Sequence, residues 1–143
     1  MAKTAVGLGD GLQQTLLQAA RAARLNAHAP YSGFRVGAAV LDEQGRVHAG
    51  CNVENAAFPQ GLCAEAVALG AMVAAGGRRA TALLVVAEGP TLVTPCGGCR
   101  QKLREFAAPD TPVLLADDQG IRSWLTLEQL LPHSFGPAHL GGP

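Results

Sequence analysis

Two short cysteine clusters constrain this chain more than any other feature: Cys63-Ala64-Glu65 and, further along, Pro95-Cys96-Gly97-Gly98-Cys99. If three thiolates share one ion, the fold must bring Cys63 back against the Cys96-x-x-Cys99 pair. A structural zinc takes four protein ligands, whereas a catalytic zinc takes three and leaves the fourth place to water. Glu65, two residues after the first thiol, is placed to move protons to and from that water. The pattern reads as one Zn2+ per subunit, with Cys63, Cys96 and Cys99 as ligands and Glu65 as the acid/base.

At 143 residues, 48% apolar and 15% charged, the chain has the make-up of one globular domain over residues 1–143 with short flexible ends. Eleven basic and eleven acidic side chains cancel, so no basic field invites nucleic acid. The adjacent pair Arg78-Arg79 reads as a solvated helix end. No segment reaches the ~20 apolar residues of a membrane span, so neither nucleic acid nor a membrane is an expected partner. Met1-Ala2-Lys3-Thr4 opens no apolar run of signal-peptide length, which points to the cytoplasm. Thiols stay reduced there, and clustered cysteines favour metal over disulfides.

Periodicity gives a helix over about Leu12–Ala27, with Leu12, Leu16, Ala19, Ala20 and Ala23 on one face and Pro30 as its stop. Val36–Leu41 and Val47–Asn52 read as a hairpin around Asp42-Glu43-Gln44-Gly45. Cys63–Ala75 reads as a helix ended by Gly76-Gly77, and Ala82–Ala87 as a strand covered on both faces. A further helix runs from near Cys96 to about Phe106. Strands over Pro112–Ala116 and Ile121–Leu125 and a short helix over Thr126–Leu131 complete the chain. The order implies α/β architecture: a three-layer α/β/α sandwich around a mixed sheet of about five strands.

Both cysteine clusters fall at helix N-termini in this reading. Free backbone N–H groups and the helix dipole there stabilise thiolates and lower their pKa. Gly97 and Gly98 allow the turn to wrap closely around an ion. A C-x-x-C pair is also found in structural zinc knuckles and redox motifs, and Cys51 as a fourth ligand would close the site. Cys51 lies in a strand without a knuckle-type turn, so a small buried side chain is its better reading. The four histidines are scattered without ligand spacing.

Taken together, the motifs resemble those of the small zinc-dependent cytidine deaminases. Five segments carry the likeness: Pro30-Tyr31-Ser32-Gly33-Phe34 with Val36-Gly37-Ala38; Gly50-Cys51-Asn52-Val53-Glu54-Asn55-Ala56; Cys63-Ala64-Glu65; Pro95-Cys96-Gly97-Gly98-Cys99-Arg100-Gln101; and Leu130-Leu131-Pro132 with Ser134-Phe135-Gly136-Pro137. A cysteine or histidine, then a glutamate two residues on, then Pro-Cys-x-x-Cys, is the signature of zinc deaminases acting on nucleobases. The resemblance implies hydrolysis of cytidine or deoxycytidine to uridine or deoxyuridine and ammonia, in pyrimidine salvage, by a homotetramer with active sites shared between subunits. It also implies substrate contacts. Asn52 and Glu54 match a pair that binds the ribose 3′-hydroxyl, and Phe34 matches an aromatic beside the base. Ala64 matches a backbone N–H to the base carbonyl, and Thr94 a carbonyl facing the leaving amine. Phe135 matches an aromatic that enters a neighbouring subunit's pocket.

Two positions depart from the pattern. Ala66 stands where many relatives carry an arginine that offsets the negative charge of three thiolates on zinc, and Phe58 stands where tyrosine is common. Arg100 is part of the family motif and so is no special substitute for the arginine missing at 66. Blasticidin S deaminase shares the three-cysteine site, but the Asn52-Val53-Glu54-Asn55 segment belongs to the nucleoside enzymes. A non-catalytic zinc-stabilised module would keep the cysteines and have no need of Glu65.

Overall fold

Alternation along the strands decides the layering. In a computed structural model describing residues 7–142, Ala38, Val40, Leu83, Val85, Val113 and Leu115 pack into one apolar cluster. Their neighbours Ala39, Leu41, Ala82, Leu84, Val86, Leu114 and Ala116 pack into another. Side chains that alternate between two buried faces require cover on both sides of the sheet. The segment Met1-Ala2-Lys3-Thr4, read above for a leader peptide, lies outside the described residues, as does part of the N-terminal end expected to be flexible.

The elements run α1 (Asp10–Arg24), β1 (Val36–Asp42), β2 (Val47–Cys51), α2 (Ala64–Ala74), β3 (Ala80–Ala87), α3 (Gly97–Arg104), β4 (Pro112–Asp117), β5 (Gly120–Thr126) and α4 (Leu127–Leu130), with short 3-10 turns at Phe58–Gln60 and Pro137–Leu140. The five strands lie in the order β2-β1-β3-β4-β5. Only β3 and β4 pair in parallel; the other neighbours are antiparallel. Leu16, Leu17 and Ala20 of α1 cover one face. Ala64, Ala68, Leu69 and Met72 of α2, Leu103 of α3 and Leu127 and Leu130 of α4 cover the other. This is the three-layer sandwich around a mixed five-stranded sheet that the element order implies. Among the described residues no helix is long and apolar enough to cross a membrane.

The first helix differs from expectation in extent and in rotation. It ends at Arg24 rather than Ala27, because the backbone of His28 is needed elsewhere. His28 N–H donates to Asn52 O at 3.0 Å, and Glu54 N–H donates to His28 O at 2.8 Å. That short parallel bridge keeps His28 extended. Its buried face is Gln13, Leu16, Leu17 and Ala20, while Leu12 remains 42% exposed. A polar residue can take the inner position because Gln13 Nε2 donates to Leu8 O at 2.9 Å.

Two glycines set how closely the helices approach. A Cβ on Gly50 would sit 2.5 Å from Ala68 N and 2.7 Å from Ala64 O, so β2 lies directly against the first turns of α2. Gly37 is crowded in the same way by the Ala20 carbonyl of α1, on the opposite face.

Candidate metal centre and cleft

Cys63 and Cys96 are the N-cap residues of α2 and α3, both in extended backbone, and Cys99 lies in the first turn of α3. Because β2 and β3 both run antiparallel to β1, the helices that follow them, α2 and α3, start at the same end of the sheet. The sulfur atoms of Cys63, Cys96 and Cys99 all lie within 4.8 Å of one another, and Cys63 Sγ is 3.9 Å from Cys96 Sγ. A tetrahedral zinc with Zn–S bonds of ~2.3 Å separates its sulfurs by about 3.8 Å. The donor set therefore fits Zn2+ in chemistry and in spacing. Cys99 is buried, whereas Cys63 and Cys96 open to the cleft.

Cys51 takes no part. It pairs with Gly37 in the β1–β2 register, and directly opposed residues share a face. That face is the α1 side, away from the thiols, which leaves three sulfurs and an open fourth position. The four cysteines are free.

Without metal, the thiols do not all follow the helix-terminus expectation. Burial pushes Cys63 up, and the neighbouring Cys96 and Glu65 charges push the same way. Burial, Glu65 and Cys63 drive Cys99 far above the ordinary thiol value. Burial also raises Cys96, but hydrogen bonds from Cys99 and Cys63 outweigh it and leave this thiol below its ordinary value. Burial, reinforced by the neighbouring thiols and carboxylate, overrides the helix terminus at two of three sites. A cation reverses this, since a coordinated thiol is deprotonated outright.

Glu65 is 4% exposed, in the first turn of α2. Burial raises its carboxyl above the ordinary value, opposed in part by its own backbone N–H and the Cys99 thiol. An acid poised upward in a cleft suits proton transfer near neutral pH. Glu65 lines a cleft of about 400 Å3 together with Cys63, Cys96, Phe34, Asn52, Glu54, Ala64 and Thr94. Every expected substrate contact except Phe135 is on this list. Ala64 is the first residue of α2, so its N–H belongs to the donors without an intrahelical acceptor.

Several details were beyond reach of the sequence. Asn52 is partly committed: Nδ2 donates to Phe34 O at 2.8 Å and Oδ1 accepts from Val36 N–H at 2.9 Å. It therefore pins the Phe34 loop as well as facing the cleft. The Glu54 carboxylate accepts from Tyr31 N–H at 2.9 Å, from Ser32 N–H at 3.1 Å and from the Ser32 hydroxyl. Those bonds hold Glu54 below the usual carboxylate range; the Ser32 hydroxyl contributes most, and partial burial opposes it. Val36, Val53, Leu62 and Val93 supply apolar walls that only tertiary structure assembles. Arg100 makes its bonds to Pro95 O, Leu130 O and Thr94 Oγ1 rather than to sulfur, and Ala66 beside Cys63 brings no charge.

Phe135 lies outside its own chain's cleft. It is 56% exposed and stacks on His139 with ring centroids 5.0 Å apart. Phe58, 74% exposed, stands at the cleft mouth in edge contact with Tyr31.

A family model described as "Cytidine and deoxycytidylate deaminase zinc-binding region" matches residues 11–115, a stretch that holds the three thiols and Glu65 but not Phe135. The cytidine deaminase of Sporosarcina psychrophila is 41% identical over 127 residues, 89% of this chain and 93% of its own length. That of Halalkalibacterium halodurans is 42% identical over 123 residues, covering 86% of this chain and 93% of its own. Among solved structures, the cytidine deaminase from Burkholderia pseudomallei matches with a TM-score of 0.79 at 43% identity, covering 85% of this chain and 98% of that one.

Proposed function

This chain belongs to the cytidine and deoxycytidylate deaminase family, and from that premise we propose that Glu65 is its proton shuttle and Cys63, Cys96 and Cys99 its zinc ligands. The reaction is the zinc-dependent hydrolytic deamination of cytidine to uridine and ammonia, in pyrimidine salvage. Zinc, when bound, supplies the Lewis acidity that lets a water lose its proton near neutral pH.

The chain's own groups do the rest. Glu65 accepts a proton from the attacking water and gives one to the ring nitrogen. It then passes a second proton to the departing amine. The water oxygen remains on the base as its new carbonyl, and the amine leaves as ammonia. The Ala64 N–H meets the base carbonyl, the Thr94 carbonyl faces the leaving amine, and Phe34 lies beside the ring. Asn52 and Glu54 hold the ribose 3′-hydroxyl, one able to donate and both to accept. Because that contact does not test the 2′ position, deoxycytidine is a substrate as well. The Glu54 bonds to Tyr31 and Ser32 keep its carboxylate ionised and oriented for this role.

A homotetramer is the assembly that fits these residues, with Phe135 of each subunit entering a neighbouring cleft. Support comes from an aromatic ring exposed outside its own site and from the apolar, exposed rim of Phe34, Val53, Phe58 and Leu62.

The observation that carries this reading is a buried, upward-poised Glu65 in the same cleft as three sulfurs at zinc spacing. The ultraviolet change of cytidine with zinc-loaded protein, run beside a Glu65→Gln variant, tests it. Conversion by the native chain alone is expected. Equal conversion by the variant would remove Glu65 from the mechanism.

A further inference from the structure

The helix that carries Cys96 and Cys99 also holds the segment that carries Phe135. Arg104 of α3 lies one turn on from both Arg100 and Gln101, and all three side chains reach residues 130–136. Arg100 Nη1 donates to Leu130 O at 2.7 Å. Gln101 Nε2 donates to the carbonyl of Phe135 itself at 2.9 Å. Arg104 Nε donates to Ser134 Oγ at 2.9 Å. The Arg104 guanidinium also packs against Gly136, where a Cβ would stand 2.5 Å from Cζ. From the other side, the His139 ring stacks on Phe135 with an interplanar angle of 18°, and His139 Nδ1 accepts from Gly136 N–H at 3.0 Å.

All this fixes a ring that is still 56% exposed. Ordering an exposed side chain costs entropy and brings little burial in return, so such support is explained by a need to present the ring. We propose that Gln101, Arg104 and His139 are positioning residues that aim Phe135 at the cleft of a second copy of the chain. The helix that builds one subunit's zinc site thereby sets the geometry of its neighbour's substrate pocket. The inference rests on the reading that Phe135 completes a neighbouring cleft. It adds what holds the ring, and it links two active sites through α3.

Subunit complementation separates the two claims. Chains carrying Glu65→Gln still donate Phe135, and chains carrying Phe135→Ala still hold an intact Glu65. Co-expressed as zinc-loaded mixed oligomers, they recover cytidine turnover that neither shows well alone. Adding Arg104→Met or Gln101→Ala to the Glu65→Gln chain then raises KM in the mixed oligomer about 2- to 10-fold, the effect of one lost hydrogen bond. Zinc content stays unchanged. A residue with a purely local structural role cannot alter KM at an active site belonging to another chain.

No recovery in the first mixture overturns the Phe135 reading and the inference with it. Recovery that is indifferent to both added substitutions overturns the inference alone. Zinc loss in step with the KM change also overturns it, because α3 would then act through the metal. If Arg104→Met does not fold, Gln101→Ala, whose side chain is exposed, carries the same test.

Discussion

Two carboxylates are buried at opposite ends of the sheet, and the protein treats them in opposite ways. Asp42, 2% exposed, closes the β1–β2 hairpin. Its Oδ1 accepts from Gln44 N–H at 2.8 Å and Arg46 N–H at 2.9 Å. Its Oδ2 meets Arg46 Nε at 2.9 Å and His48 Nε2 at 2.8 Å. Burial alone would raise its pKa, but the His48 bond, the two backbone N–H groups and the Arg46 guanidinium hold it far below the usual range. Glu65, nearly as buried, has no comparable set of donors, and burial wins. Burial by itself does not make an acid reactive. What matters is whether its neighbours satisfy the charge: Asp42 is satisfied and structural, Glu65 is left wanting a proton beside three thiols.

The contrast breaks first at Glu65. Glu65→Gln lowers kcat by about 100- to 10,000-fold, the range of a general acid/base, with zinc content retained. The metal-free variant is as stable as the native chain or more so at neutral pH. A carboxyl raised on folding contributes stability that is present below its unfolded pKa and lost as pH rises through the folded one. Above the unfolded carboxyl value Glu65 therefore costs the fold stability, and a neutral amide removes that cost. Lost stability in the variant would mean that the carboxylate is structural after all.

At the other end, Asp42→Asn leaves Arg46 and His48 facing a neutral amide. Melting temperature falls by more than about 5 °C, while kcat and KM of the folded protein stay as they were. The sign for acid follows from the depressed pKa. Asp42 contributes stability above the unfolded carboxyl value of ~3.9, and that contribution is lost as pH falls through the folded value. Native protein thus loses stability more steeply than the variant below about pH 4. Parallel acid unfolding curves for the two would show that the Asp42 cluster does not stabilise the fold.

Smaller effects sharpen the metal side. Cys51→Ser leaves zinc stoichiometry unchanged, because Cys51 faces α1; a loss of zinc on substitution would assign it a ligand role. Ala66→Arg adds a cation beside Cys63 and offsets the charge of three thiolates. The acid limb of the pH–rate profile then moves by about one unit or less, towards lower pH. An unchanged profile would mean that helix-terminal N–H groups already supply the compensation.

The parts of this molecule that could be read from sequence are those governed by local pattern. Cys63, Cys96 and Cys99 announce themselves by spacing, and Glu65 by its place two residues past the first. Strands β1, β3 and β4 announce themselves by their apolar runs. What escaped depends on partners far along the chain. Residues 25–27 fail to extend α1 because His28 pairs with Asn52 and Glu54. Asp42 reads as a turn residue, and only the fold shows Arg46 and His48 closing on it. The side chain of Asn52 supports the Phe34 loop from eighteen residues away in sequence. The thiol pKa values escaped too, since helix position counts for less than the burial of Cys63 and Cys99 beside Glu65.

X-ray absorption at the zinc edge of the loaded protein tests the central claim, an open three-thiolate site, most directly. Three sulfur neighbours at about 2.3 Å and one lighter oxygen or nitrogen neighbour at about 2.0 Å are the expected result. Four sulfurs would mean that Cys51 is recruited and the site closed, and the assignment of Glu65 to catalysis would fall with it.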